Sequence, residues 1–476
     1  MQFPPLRRSR SVLLFALLIA VTVVLTALLL PPFGGRDTTD TGPPTAPEGA
    51  PNVLVFVTDD QRPESMEAMP QTSRYFRDEG RWYPNGFATT PICCPSRASI
   101  FSGQFVHNHG VKNFTPYELQ QTTTLQAVLQ ANGYRTGFFG KYLNRWEHED
   151  DPPHFDDWAF FHQANTRTYA GGEYNVAGEV TEVDEYSTHF LGDRAIDFLE
   201  GGEADGDSRP WLMYVSTPAA HTPYIAETEF ENAPVPDWEG NEAVFEEDLS
   251  DKPAHVRDPY KGNCDFRCGQ DVREQQHRTL MSVDVMVDAI MTKLEELDQA
   301  DNTLAFFVSD NGIMWGEHGV GNKRWPYRQS VNVPFGVRWP AKIEPGVDHR
   351  LVAMVDIAPT AVDAAGARPA AEVEMDGRSL LDRKWERTEM LLEHWPSKTV
   401  PGYGSLWSKD YQYVEYYARN MNKVIYREYF DLVDDPWQLK NLLAGAANTR
   451  RPNDDTLRKL SRRLRELRVC KGDGCP

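Results

Sequence analysis

Two short acidic clusters hold the groups best suited to chemistry. Asp59 and Asp60 stand in "VFVTDDQ", and Asp310 and Asn311 stand in "FFVSDNG". Three carboxylates and one amide oxygen form a hard oxygen set, which suits calcium or magnesium rather than a soft metal. Carboxylates crowded together repel and raise one another's pKa, so a divalent cation is the natural way to hold them. Taken singly, Asp59-Asp60 also reads as a turn or helix cap, and Asp-Asn-Gly as a turn. Two basic groups lie in comparable settings, Lys141 in "FFGKYLN" and His221 in "VSTPAAHTPY". A further stretch, "PICCPSRASIFSG", sets Cys93 beside Cys94. A disulfide between neighbours is strained, and a thiolate metal site usually spaces its cysteines by two or more residues. Neither use accounts for the pair.

These groups share a position relative to the elements around them. Val53–Val57, Leu304–Val308 and Trp211–Val215 are apolar runs that end just before the polar residues, and Phe138-Phe139 leads to Lys141. Such runs predict strands buried on both faces, as in a parallel sheet. Val333–Val337 adds another short strand. Leu125–Asn132 and "RTLMSVDVMVDAIMTKLEELD" have the apolar spacing of helices. Strands alternating with helices predict an α/β fold with a mostly parallel sheet sandwiched by helices. Ligands of such sheets sit outside the carboxyl ends of the strands. One cleft is therefore expected to hold Asp59, Asp60, Lys141, His221, Asp310 and Asn311.

The rest of the chain limits the setting. Its 476 residues exceed what one compact core normally serves, so two domains or one large domain with an appendage are expected. The net charge of −21 argues against nucleic acid as a partner. It leaves room for a small anionic substrate, because local Arg, Lys and metal outweigh the global field. Arg7, Arg8 and Arg10 precede an uncharged run, Ser11–Leu30, close to a bilayer core in length. Residues 1–30 are read as a signal-anchor that leaves the body outside the cytoplasm, with secretion after signal cleavage as the alternative. Residues 31–51, rich in Pro, Gly and Thr, read as a linker. Cys264 with Cys268, and Cys470 with Cys475, can each close a local disulfide in an exported protein; a zinc site from these four is the alternative.

The segment Cys93-Cys94-Pro95-Ser96-Arg97 through Gly103 resembles the signature of the type I, formylglycine-dependent sulfatases. The resemblance runs from about Asn52 to the C-terminus. It implies an alkaline-phosphatase-like catalytic domain over 52–384 and a C-terminal α+β subdomain over 385–476. It implies that Cys93 is converted to Cα-formylglycine by a formylglycine-generating enzyme, while Cys94 stays a thiol. The implied metal ligands are Asp59, Asp60, Cys93, Asp310 and Asn311, holding calcium or, alternatively, magnesium. Arg97, Lys141, His221 and Lys323 match the positions that hold the nucleophile, bind sulfate and protonate the leaving group. Asn144 and His318 are candidates for supporting contacts, while His107, His109, Arg378 and Glu393 carry no assignment.

The doubled cysteine, "HNHGVKN", "GKYLN" and the terminal "CKGDGC" are similar to the N-acetylglucosamine-6-sulfatases. Two departures stand out. Leu143 replaces a histidine that many sulfatases carry two residues after the lysine, with Asn144 expected to take over some of its contacts. Arg328 stands where an acidic residue is frequent. The expected activity is removal of 6-O-sulfate from a glucosamine-containing glycan. A phosphodiesterase or phosphonate monoester hydrolase, an arylsulfatase of other specificity, and a non-catalytic glycan-binding protein are the rivals.

Overall fold

The structure, a computed structural model, describes residues 45–161, 169–258, 263–445 and 450–476. The expected anchor over 1–30 lies outside the described residues. Among the described residues no helix is long and apolar enough to cross a membrane.

The main sheet contains β1 (Asn52–Thr58), β2 (Arg135–Gly140), β3 (Asp157–Phe161), β4 (Ala170–Val176), β5 (Glu179–Tyr186), β6 (Trp211–Ser216), β7 (Thr303–Ser309) and β8 (Phe335–Arg338). They lie in the order β8-β7-β1-β6-β2-β3-β4-β5, with two-residue strands Arg81–Trp82 and Gly346–Val347 beyond β8. The five strands from β7 to β3 run parallel. β4 and β5 are antiparallel on one side, and β8 is antiparallel to β7 on the other. The strand expected at Val333–Val337 thus begins at Phe335 and runs backwards. The chain leaves β7 at its carboxyl end and re-enters the sheet from that same end without a crossover helix, so β8 can only return.

Alternation along β1 explains the sandwich. Val53, Val55 and Val57 join one core with Leu304, Phe306 and Val308, while Leu54 and Phe56 join a second core on the opposite face. Helices α1 (Cys93–Ser102), α2 (Leu125–Ala131) and α5 (Ile357–Ala364) cover the first face. α3 (Ser187–Asp205) and α4 (Phe266–Glu296) cover the second, α4 through Leu280, Val283, Val287, Ile290 and Leu294. Each such side chain, wholly buried, contributes roughly 1.5–3 kcal/mol.

A separate antiparallel sheet, β9 (Glu389–His394), β10 (Tyr403–Ser408), β11 (Tyr411–Tyr417) and β12 (Val424–Asp431), packs with α6 (Asp454–Leu467) through Leu464 and Leu467. Cys264–Cys268 and Cys470–Cys475 are disulfide-bonded, which removes the thiolates a zinc site would need; Cys93 and Cys94 are free.

Glu428 on β12 is fully buried and accepts hydrogen bonds from Tyr327 Oη at 3.1 Å and Tyr416 Oη at 2.7 Å. Burial pushes its carboxyl up from 4.5 to about 7. The folded protein therefore keeps this proton over a range where the unfolded chain has lost it. Stability from this group is full below the unfolded value and is lost as pH rises to about 7. Glu428→Gln keeps an acceptor for one tyrosine, offers the hydroxyl of the other an N–H donor as the protonated acid does, and removes the titration. It is expected to stabilise the protein by roughly 2–3 kcal/mol at pH 8 and by much less at pH 5. Thermal melts at the two pH values check this, and an equal shift at both would contradict it.

Candidate active site

The carboxyl ends of β7, β1, β6 and β2 meet at one place. Asp59 follows β1 and Asp310 follows β7, and the parallel register sets Thr58 beside Ser309. Asp60 turns into the left-handed region at φ 62, and its N–H donates to Asp310 Oδ1 at 3.3 Å. Asn311 Nδ2 donates to Asp60 Oδ1 at 2.6 Å. Lys141 comes in behind Gly140, whose φ is 123 and whose hypothetical Cβ would lie 1.8 Å from Ser216 O. Only glycine permits that approach, and it lets Lys141 N–H donate to Ser216 O at 2.8 Å.

Cys93 opens α1, where the first-turn N–H groups and the helix dipole favour negative charge. Pro95 fits the first turn, where no backbone donor is needed. Gly103 closes the helix in the left-handed region at φ 66. Arg97, one turn on, is completely buried. Its Nε donates to Asp310 Oδ2 at 2.8 Å, its Nη1 donates to Lys141 O at 2.8 Å and also to Ser216 Oγ, and Nη2 lies 3.7 Å from Asp59 Oδ2. Lys323 Nζ reaches Asp60 Oδ1 and lies 3.6 Å from Cys93 Sγ. Lys141 Nζ donates to Asp59 Oδ2. His221 Nε2 is 3.8 Å from Asp60 Oδ2, and Nδ1 donates to Thr222 O at 2.6 Å. That bond leaves Nε2 as the ring nitrogen facing the cluster.

Burial would raise Asp59, but Lys141, His221, Lys323 and Arg97 outweigh it and hold its carboxyl far below the usual range. Asp310 goes the other way: burial and the charge of Asp59 push its carboxyl up in spite of Arg97 and both lysines. Burial would lower Lys323, yet Asp60, Cys93 and Asp59 raise it well above its ordinary value. Cys94 is pushed up by burial, with Cys93 adding to the effect, so it stays a protonated thiol with Sγ 3.8 Å from Asn144 O.

The side chains fit a hard divalent cation. Ligand atoms of Asp59, Cys93 and Asp310 lie within 4.8 Å of one another, as do those of Asp59, Asp60 and His221. Asp59 Oδ1 and Asn311 Oδ1, both buried, accept no hydrogen bond among the described residues. Oxygens left in that state without a cation are costly. Two lysines lean onto the same carboxylates, a further sign that positive charge is wanted here.

All of the residues expected in the cleft therefore come together, with Cys93, Arg97 and Lys323 added. His318 does not join them. It is buried on Glu246 Oε2 through Nδ1 at 2.6 Å, with its ring 4.3 Å from Tyr327. His107 bridges Glu393 Oε2 at 2.8 Å and Cys470 O at 2.9 Å, and His109 holds Ser99 Oγ at 3.1 Å. Burial, helped by His107, drops His109 to about 3 and keeps it neutral. Arg378 ties the C-terminal turn through Asp473. Ser216 and Gln276 escape sequence reasoning. Ser216 receives Arg97, and Gln276 on α4 donates to Asp60 O at 3.1 Å and Ala220 O at 2.8 Å. Its place as the last residue of β6 signals the first; nothing local signals the second, which lies inside a long amphipathic helix.

Comparison with known proteins gives concordant results. The family profile "Sulfatase" matches residues 51–367, and "N-sulphoglucosamine sulphohydrolase, C-terminal" matches residues 316–469. The chain is 31% identical over 382 residues to the extracellular sulfatase SULF-1 homolog of Drosophila melanogaster, covering 74% of this chain and 33% of that protein. It spans about a third to a half of the length of the two invertebrate extracellular sulfatases it matches. It is 28% identical over 490 residues to human N-acetylglucosamine-6-sulfatase, covering 89% of this chain and 86% of the relative. A solved structure in complex with its substrate, D-glucosamine-2-N,6-O-disulfate, superposes with a TM-score of 0.75 at 21% identity, over 88% of this chain and 97% of that one. The α/β sandwich is the fold these structures share.

Proposed function

Because the chain belongs to the sulfatase family, we propose that it is a sulfuric ester hydrolase that removes the 6-O-sulfate of glucosamine residues in a glycan. One observation carries the reading: Cys93 Sγ, at the start of a buried helix, faces Lys323 Nζ at 3.6 Å and the carboxylates of Asp59 and Asp310 within 4.8 Å. A nucleophile position, a cation site and fixed positive charge converge there.

Asp59, Asp60, Asp310, Asn311 and the side chain at 93 would hold a divalent cation, calcium in this proposal and magnesium alternatively, which would supply positive charge to neutralise sulfate oxygens and acidify the attacking hydroxyl. Formylglycine made from Cys93 would supply that hydroxyl, together with a second one, once hydrated. The remaining work falls to the chain's own side chains. Arg97 stays charged at any working pH and is held by Asp310 and the Lys141 carbonyl, so it orients the side chain at 93 without moving. Lys141 and Lys323 exchange their carboxylate contacts for sulfate oxygens and stabilise the charge that develops there. His221, a quarter exposed and facing Asp60, gives a proton from Nε2 to the departing sugar oxygen.

His221→Ala is expected to lower kcat on a sugar 6-sulfate by about 10²–10³-fold, and on an aryl sulfate with an acidic phenol by less than about tenfold. Equal losses on both would remove the proton-donor role. The reading as a whole is tested by mass spectrometry of the Cys93 peptide from the native host, together with turnover of aryl sulfates against aryl phosphodiesters. An unmodified thiol in fully active protein, or much faster phosphodiester cleavage, overturns it. The partners follow: a formylglycine-generating enzyme and a sulfated carbohydrate. We place the body outside the cytoplasm, in keeping with its two disulfides, anchored by residues 1–30 or released after their cleavage. Residues 52–384 would form the catalytic part and 385–476 the part that completes the substrate cleft.

A further inference from the structure

A cleft of about 1030 Å³ is lined by Phe114, Arg145, Arg324, Lys398, Tyr417 and Arg419, among others. It is built on the same two loops as the site. Arg145 follows Asn144, whose carbonyl lies 3.8 Å from Cys94 Sγ. Asn322 and Arg324 flank Lys323, whose Nζ lies 3.6 Å from Cys93 Sγ. The opposite wall comes from the small sheet, through the loop before β10 and the end of β11.

Charge makes this cleft unusual. The chain carries −21 overall, yet no aspartate or glutamate lines the cleft among the described residues. Arg145 and Arg324 approach one ring, that of Phe114, with Cζ at 5.5 and 5.8 Å from its centroid. Two guanidiniums gathered without an anion repel each other. Arg145, Asn322 and Arg324 also adopt left-handed backbone, at φ 66, 66 and 88. A residue with a Cβ holds that conformation at a cost, and such residues gather at binding sites. The volume is at the upper end of small-ligand sites, about 300–1,000 Å³, so the cleft is roomy for one sugar.

We infer that this cleft binds a second anionic group of the substrate, a carboxylate or sulfate on the sugar next to the one that loses its sulfate. The inference rests on the sulfatase reading above. Arginine forks match planar or tetrahedral oxyanions, and the half-buried ring of Phe114 beside them offers an apolar surface to a sugar ring. The enzyme then prefers 6-sulfated glucosamine within a polyanionic chain over the isolated sugar.

The test uses the full-length, metal-replete, formylglycine-bearing protein. Four substrates are compared: a disaccharide with a uronate beside 6-sulfated glucosamine, its uronate methyl ester, D-glucosamine-2-N,6-O-disulfate, and an aryl sulfate. Esterification is expected to lower kcat/KM about tenfold or more, chiefly through KM. Arg145→Gln and Arg324→Gln should each lower the ratio of uronate-disaccharide to aryl-sulfate kcat/KM about tenfold, and Lys398→Gln and Arg419→Gln, on ordinary backbone, by a few-fold. Arg458→Gln with Arg462→Gln, in a separate groove beside α6, should leave that ratio unchanged. An ester as good as the acid, or an unchanged ratio in the Arg145 and Arg324 variants, overturns the inference and leaves the sulfatase reading standing. The same dependence on these arginines for the disulfated monosaccharide moves the second anion to the reacting sugar and also overturns it. An equal fall in the α6 variant reduces it to general charge steering. A wild-type protein inert toward every sulfate removes the sulfatase reading and takes the inference with it.

Discussion

Cys93→Ala is expected to lower sulfate-ester turnover by at least about 10⁴-fold while leaving the protein folded. The side chain is small, buried at the start of α1, and bonded to nothing except Lys323 Nζ at 3.6 Å among the described residues. Its loss therefore leaves little cavity, and the charges around it keep their partners. Cys93→Ser separates two explanations of the loss. A serine provides one hydroxyl where a hydrate provides two, so attack can begin but the second elimination cannot follow. The variant should accumulate covalently bound sulfate after exposure to substrate, visible by intact mass. Cys94→Ala, one residue away, should retain activity within about threefold, because that thiol packs against the Asn144 carbonyl and stays protonated. If Cys94→Ala were the dead variant and Cys93→Ala the active one, the assignment of the modified residue would be reversed.

The second large effect is expected at Asp310. Its carboxylate accepts from Arg97 Nε at 2.8 Å and from the Asp60 N–H at 3.3 Å, and it lies within 4.8 Å of Asp59 and Cys93 ligand atoms. Asp310→Asn keeps the shape and one acceptor but removes a full charge. Metal affinity should fall by well over the roughly 10–100-fold seen when a residue merely behind a ligand is changed. At micromolar metal, turnover should fall about 10³-fold, and excess calcium should restore part of it. Atomic emission on the purified variant should find sub-stoichiometric metal. A chelator should silence the wild-type protein in the same way, with recovery on adding the ion back. Full metal content together with a 10³-fold loss would show that Asp310 serves Arg97 and not the cation. Removing one partner of a buried charge pair also costs about 3–5 kcal/mol in stability, so the melting point should be read alongside.

Much of this site was legible before any coordinates. A strand buried on both faces demands an apolar run, and the first polar residues after it must lie at its end. Val53–Val57 before Asp59 and Leu304–Val308 before Asp310 therefore announced strand ends, and parallel pairing of β1 with β7 sets those ends side by side. The cysteine register and Arg97 came from the motif. The local cysteine pairs were legible because only three and four residues lie between their members. Direction was not legible for Phe335–Arg338, since an apolar run looks the same read parallel or antiparallel. Nor was the place of His318, a candidate for a supporting contact whose buried ring bonds Glu246 through Nδ1 instead.

Amino-acid order alone thus determined the layered α/β scaffold and the chemical kind of site at its rim. Periodic burial writes itself into residue type, and the first polar residues after a buried strand must lie at its end. Tertiary structure decided which cations face which carboxylates, that Ser216 and Gln276 hold the site from behind, and that Arg145 and Arg324 share with the C-terminal sheet a cleft that no carboxylate lines among the described residues. Those outcomes depend on loops joined across hundreds of residues, where placement follows from the packing of whole elements and leaves no local pattern to read.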